Sequence, residues 1–209
     1  MHKEKYIEDL IEIKNTMSRA SRFITLSGLS GVSTGITAIL GVLIAYLTVF
    51  KDNEYLTHNK AAIKDADLLH LILIAAGTLV VSIGSAIYFT RRKIRKQNQN
   101  PWNIQAQRLI IELSIPLITG GILCLMFLFK GYIGVLSSLT LVFYGLALIN
   151  SSKYTINEIK NLGIIEIILG LIAFHFINYS LLLWAIGFGI FQIIYGLMVQ
   201  KNIKCERDT

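Results

Sequence analysis

The chain has 209 residues, of which 54% are hydrophobic and 16% charged, and its mean hydropathy is +0.59. Soluble domains carry about 25% charged residues, so an ordinary soluble globular domain is excluded. Two cysteines give no disulfide framework, and the net charge of +7 reads as lipid-facing loops rather than a nucleic-acid surface.

Residues 1–22 mix charges of both signs with Ile7, Leu10 and Met17 at helical spacing, and Ile24 continues the stripe. This predicts an amphipathic helix lying on the cytoplasmic face, where it docks on lipid or on a partner. Residues 23–200 then carry six apolar blocks: Leu26–Phe50, Leu68–Thr90, Leu109–Phe129, Tyr132–Asn150, Ile159–Ile177 and Leu181–Val199. Each approaches the ~20 residues a spanning helix needs. The expected fold is all-α: a polytopic membrane protein with six transmembrane helices as three hairpins, followed by a cytoplasmic tail at 201–209. The first block is longer than the apolar core of a signal peptide, so it is expected to stay as an anchor.

That first block is rich in glycine, serine and threonine. Glycine is a poor helix former in water, but in lipid small residues let helices approach closely. Ser27, Gly31, Gly35 and Ala38 fall on one face and predict a tight helix–helix contact. The second block has His70 near its outer end. The segment after it, Arg91–Arg108, carries Arg91, Arg92, Lys93, Arg95 and Lys96 and no acid. It suits anionic lipid headgroups, with Trp102 at the interface.

The third block holds Glu112 and Pro116. Proline has no N–H, so the carbonyl of Glu112 loses its helical partner and a kinked span is expected. With a turn at Lys130–Gly131, Glu112 comes level with Ile149 and Asn150. The fifth block holds Glu166 on a face with Gly163 and Gly170, and the sixth holds Gln192 between Gly189 and Gly196. A turn at Tyr179 would set Glu166 against Gln192 with glycines around them. Ionisable groups inside a span default to functional candidates. The commoner use of such a pair is an interhelical hydrogen bond with Glu166 carrying its proton; the other use is a proton or ion site, with Glu166, Gln192, Glu112 and Asn150 as candidates. His70 and His175, near the outer ends of their helices, form the weak candidate for a metal or haem pair. Neither has the neighbouring ligands such sites need, so no metal and no cofactor is expected. No catalytic motif is present.

Lys and Arg fall sixteen on one side of the six blocks and four on the other. The positive-inside rule then puts both termini in the cytoplasm. Ile-Ile-Glu occurs at 110–112 and again at 164–166, and Tyr-Gly-Leu at 144–146 and 195–197. The last two hairpins thus look duplicated. They are parallel repeats, unlike the inverted repeats of many transporters.

The stretches LSGLSGVSTGI, PLITGGI, FYGLALINSSKYT and LGIIEIILGL together resemble a group of uncharacterised bacterial six-helix integral membrane proteins. The short glycine-punctuated hairpins are also similar to those of the HdeD-like acid-resistance membrane proteins. The resemblance implies a bacterial inner-membrane location and supplies no activity; the lack of a catalytic motif is what argues against an enzyme. Two functions follow as expectations. The first is a non-enzymatic scaffold, stress-response or regulatory component that meets a protein partner or a second copy of itself, with no nucleic acid involved. The alternative is a small transporter or channel using Glu166, Gln192 and Glu112.

Overall fold

The computed structural model describes residues 28–50, 65–96, 104–155 and 157–205; the amphipathic segment 1–22, Ser27 and Trp102 lie outside them. Six helices account for almost all of the described chain, with no strand among these residues. Helix α1 is Gly28–Ala45, continued by a π-helical turn at Tyr46–Phe50. Helix α2 is Asp65–Lys96 and α3 is Ile104–Phe129. Helix α4 is Gly134–Ser151, closed by the 3₁₀ turn Ser152–Tyr154, and α5 is Asn157–His175. Helix α6 joins Ser180–Trp184, the π-helical Ala185–Phe191 and Gln192–Cys205.

Five spans are long and apolar enough to cross a membrane: Gly28–Val49, Leu68–Lys93, Ala106–Phe129, Gly134–Tyr154 and Ile177–Lys201. Helix α5 is the exception. Glu158, Lys160 and Glu166 all fall within its 19 residues, although its length of about 28 Å is that of a spanning helix.

The basic segment after the second block is not simply a loop. Helix α2 runs on through Lys96, so Arg91, Arg92, Lys93, Arg95 and Lys96 ride on its last two turns. Arg91, Arg92 and Arg95 are exposed there and Lys93 is half-buried. Straight-chain Arg and Lys are good helix formers and their charge complements a helix C-terminus, which explains the extension.

The chain returns so that α1 lies beside α6, while α2 and α3, consecutive in sequence, make no extensive contact. Helix α2 packs on α1, α1 on α6, α6 on both α5 and α4, and α3 on α4; the most extensive pairing is α4 with α5. The α3–α4 connection is tight because Gly131, at φ 80°, takes the left-handed position that ends a helix. The Gly131 N–H donates to the Leu128 carbonyl and the Tyr132 N–H to that of Phe127, at 3.0 Å each. The rings of Phe127 and Tyr132 meet edge-on at 5.9 Å, supplying the apolar clasp that accompanies this motif. Proline 116 sits buried within α3, which continues as one helix on both sides of it.

The hydroxyls of Ser33, Thr34 and Thr37 bond to carbonyls within α1. Thr34 donates to the Gly31 carbonyl at 2.9 Å and Thr37 to that of Ser33 at 2.8 Å, while Ser33 also reaches Ser85 of α2 at 3.3 Å. Two small apolar cores tie the helices at opposite ends. One joins Ala45, Val49 and Ile133 with Leu71, Leu136 and Leu181 at the end bearing the Gly131 turn, here the turn end. The other joins Leu148, Ile159 and Leu162 with Tyr144, Phe191 and Tyr195 at the end where Arg91–Arg95 and Lys153 lie, here the basic end.

Candidate functional site

The site is built where α4, α5 and α6 meet. Glu166 is the central residue of α5, about 13 Å from either end of the helix, and it is 0% exposed. Neither of its carboxyl oxygens has a hydrogen-bond partner. A buried polar group in this state is rare and calls for a physical reason. The space for Oε2 comes from Gly187 of α6, where a Cβ would stand 2.5 Å from it; Leu141 of α4 closes the same notch.

Gly187 belongs to the π-helical stretch of α6. A π turn inserts an extra residue and shifts the phase of the faces on either side, and such turns gather at functional sites. Here the shift lets one helix serve two neighbours: Gly187 faces α5, while Gly189 and Gly196 face α1.

Gln192 does not hold Glu166, contrary to the pairing expected from a turn at Tyr179. Its Nε2 donates to the Tyr144 hydroxyl of α4 at 3.0 Å, and its Oε1 has no partner. The register differs because α5 ends at His175, a 3₁₀ turn at Ile177–Tyr179 follows, and the π stretch consumes additional chain. The residue facing Glu166 is therefore Gly187, five positions before Gln192. The expected glycine face of the α5–α6 hairpin is also divided. Gly163 and Gly170 lie against α4, where their Cβ positions would meet the Gly145 carbonyl at 2.7 Å and the Ser138 carbonyl at 3.0 Å. Gly189 lies against Ile39 of α1, and Gly196 against Gly28.

The stripe of α1 meets α6. A Cβ on Gly31 would stand 3.1 Å from the Cα of Gly196, and one on Gly35 2.8 Å from the Gly189 carbonyl; Ala38 is buried on the same side. Gly41 faces Thr78 of α2 instead. Each Tyr-Gly-Leu glycine thus meets a glycine of a neighbouring helix: Gly145 against Gly163, and Gly196 against Gly28.

Tyr144 and Tyr195, not singled out in the sequence, complete the site. Tyr144 lies within electrostatic reach of Glu166. Tyr195 lies within reach of Tyr144 and of Glu158, and its buried hydroxyl has no partner. The sequence signal was the repeated Tyr-Gly-Leu, whose tyrosine places a hydroxyl inside an apolar run. Phe188, the residue after Gly187, stacks between Tyr144 and Trp184 with ring centroids 4.7 Å apart in both pairs. The Trp184 Nε1 donates to Thr140 of α4 at 2.9 Å. Ser138 and Ser180, nearer the turn end, are buried with unpartnered hydroxyls.

The other candidates lie apart from this cluster. Glu112 is half-buried on α3 and Asn150 half-buried near the end of α4. His70 on α2 and His175 at the end of α5 are both exposed, and the His175 ring stacks edge-on against Phe176 at 4.8 Å. Among the described residues no three His, Cys, Asp or Glu gather as metal ligands. Comparison with protein-family models, with curated proteins and with solved structures finds no match to this chain.

Proposed function

We propose that this is a six-span protein of the bacterial cytoplasmic membrane, arranged as three hairpins with both termini and Arg91–Arg108 inside. It works by association, as a non-enzymatic scaffold, stress-response or regulatory component. The observation that carries this reading is the closed packing around the bundle's central carboxyl. Glycine meets backbone across α1–α6 and α4–α5, and Glu166 is fully covered. Apolar side chains are turned outward instead. Helix α2 exposes Leu69, Leu73, Leu79, Val80 and Tyr88, and Gly77 and Gly84 have nothing within 4 Å of a Cβ. In this reading α5 crosses the membrane because its neighbours cover Glu166, and the basic cluster of α2 holds anionic headgroups.

Two experiments test it. After replacement of Cys124 and Cys205, single cysteines at Asn98 and Lys130 should react from opposite faces of intact cells, Lys130 from outside. Reaction of Asn98 from outside overturns the orientation. A cysteine at Gly84 should cross-link in the membrane to a second copy or to a partner protein. Monomeric behaviour at Gly84, together with ion flux in liposomes, replaces this reading with the second.

That second reading is the small transporter or channel using Glu166, Gln192 and Glu112. It is supported by the two unpartnered oxygens of Glu166, which packing alone does not explain.

A further inference from the structure

We propose that Glu166 is a proton-binding site, loaded and unloaded from the basic end of the bundle along a line of polar side chains: Tyr144, Gln192, Tyr195 and Glu158. An unneutralised carboxylate in a dry interior costs several kcal/mol unless charge and hydrogen bonds compensate. The cover of Glu166 supplies neither, since both oxygens lack a donor. A proton meets the need with no further ligand. A metal ion would take four to eight ligands, and no cluster of His, Cys, Asp or Glu supplies them among the described residues.

The direction of access follows from the helix register. Gly187 stands against Glu166, and α6 runs antiparallel to α5. Gln192 and Tyr195, further along α6, therefore lie progressively closer to the start of α5. The reach of Tyr195 to Glu158, in the first turn of α5, agrees with this. From α4, Tyr144 bridges the line, within electrostatic reach of Glu166 and bonded to Gln192 at 3.0 Å. Tyr144 from α4 and Tyr195 from α6 are the titratable groups packed around this path. Two members of the line offer unpartnered buried oxygens, Gln192 Oε1 and the Tyr195 hydroxyl. Glu166 and Glu158 are eight residues apart on one helix, about 12 Å, a distance that these groups and a few transient waters span. Toward the turn end, Trp184 is tied to Thr140 of α4, and no bonded chain of side chains links Glu166 to the buried hydroxyls of Ser138 and Ser180, which lack partners.

Only O–H bonds change in the exchange. The proton leaves a Glu166 oxygen, the bonding pair stays on that oxygen, and the proton passes along the line to Glu158 and bulk water. Loading is the reverse.

The test uses the full chain in closed liposomes of known orientation, followed by infrared spectroscopy of the carboxylic acid carbonyl. A band present in the native protein and lost in Glu166→Gln belongs to this group. Raising the pH at the basic-end face should bleach it, and Tyr195→Phe with Gln192→Leu should slow that response. A band indifferent to pH on both faces makes Glu166 a permanent structural acid and overturns the proposal. So does a response from the turn-end face, or an unchanged rate in the double variant. If Glu166→Gln does not fold, labelling of native protein by an apolar carbodiimide provides the same readout. The acid O–H adds across a C=N bond to give an O-acylisourea, whose acyl group then moves from oxygen to nitrogen to leave a stable N-acylurea on Glu166, in amounts that should fall as the pH at the basic-end face rises; no pH dependence, or no adduct on Glu166, overturns the proposal. The inference shares Glu166 with the transport reading, and the two fail separately. Proton exchange without net flux removes transport and leaves the site, whereas flux with an unchanging band does the opposite.

Discussion

Replacing Gly145 with alanine tests the packing on which the bundle rests. The new Cβ would stand 2.6 Å from the Gly163 carbonyl oxygen and 3.0 Å from the Ile167 backbone nitrogen, where ordinary contact begins at 3.4 Å. Both obstacles are backbone, so no rotamer change relieves them, and α4 and α5 must part by about 0.8 Å, the difference between 3.4 and 2.6 Å. A gap of about 0.5–1 Å forfeits a quarter to a half of the dispersion energy of the atoms facing it, and overpacking of this kind costs about 1–3 kcal/mol. The control is Gly121→Ala on α3, whose Cβ meets nothing within 4 Å and which keeps the gain in helix propensity of about 1 kcal/mol. Unfolding of the purified protein in mixed micelles should rank Gly121→Ala above the native chain and Gly145→Ala below it. Equal stability of the two variants would refute the claim that α4 and α5 meet backbone to backbone at this point.

Glu166→Met should stabilise the fold by about 1–3 kcal/mol, because it removes a buried polar group that has no partner; a loss of stability in the same micelle assay would mean that the carboxyl is held by a bond. Tyr144→Phe and Gln192→Leu should be coupled by roughly 0.6–1.7 kcal/mol, the range for hydrogen bonds between membrane helices. A double-mutant cycle reads that coupling, and strict additivity would deny the contact.

The large features were legible because lipid makes them so. Long apolar runs demand helices, and the glycines of α1 advertised a close neighbour. The identity of that neighbour was not legible. Gly31 and Gly35 face α6, the last of the described helices, and nothing local in the sequence encodes so distant a partner. Glu166 stood out as a carboxyl in an apolar run, but its surroundings did not. Its register against α6 depends on a π stretch at Ala185–Phe191, and residues such as Ile186 and Phe188 suit an α-helix equally well. The same stretch explains why Gln192 ends beside Tyr144. The division of the glycines between α4 and α1 also escaped periodicity, which finds a small-residue face but does not say which helix it meets.

The pairing of α1 with α6 has a consequence for how the protein is made. Gly28 and Gly196 touch, yet a ribosome adding about 5–20 residues per second needs roughly ten to thirty seconds to get from one to the other. During that interval the glycine face of α1 lacks its partner and is turned to lipid or to whatever escorts nascent chains in the membrane. A chain cut short before α6 leaves α1 without its principal companion and carries the mark of an unfinished product.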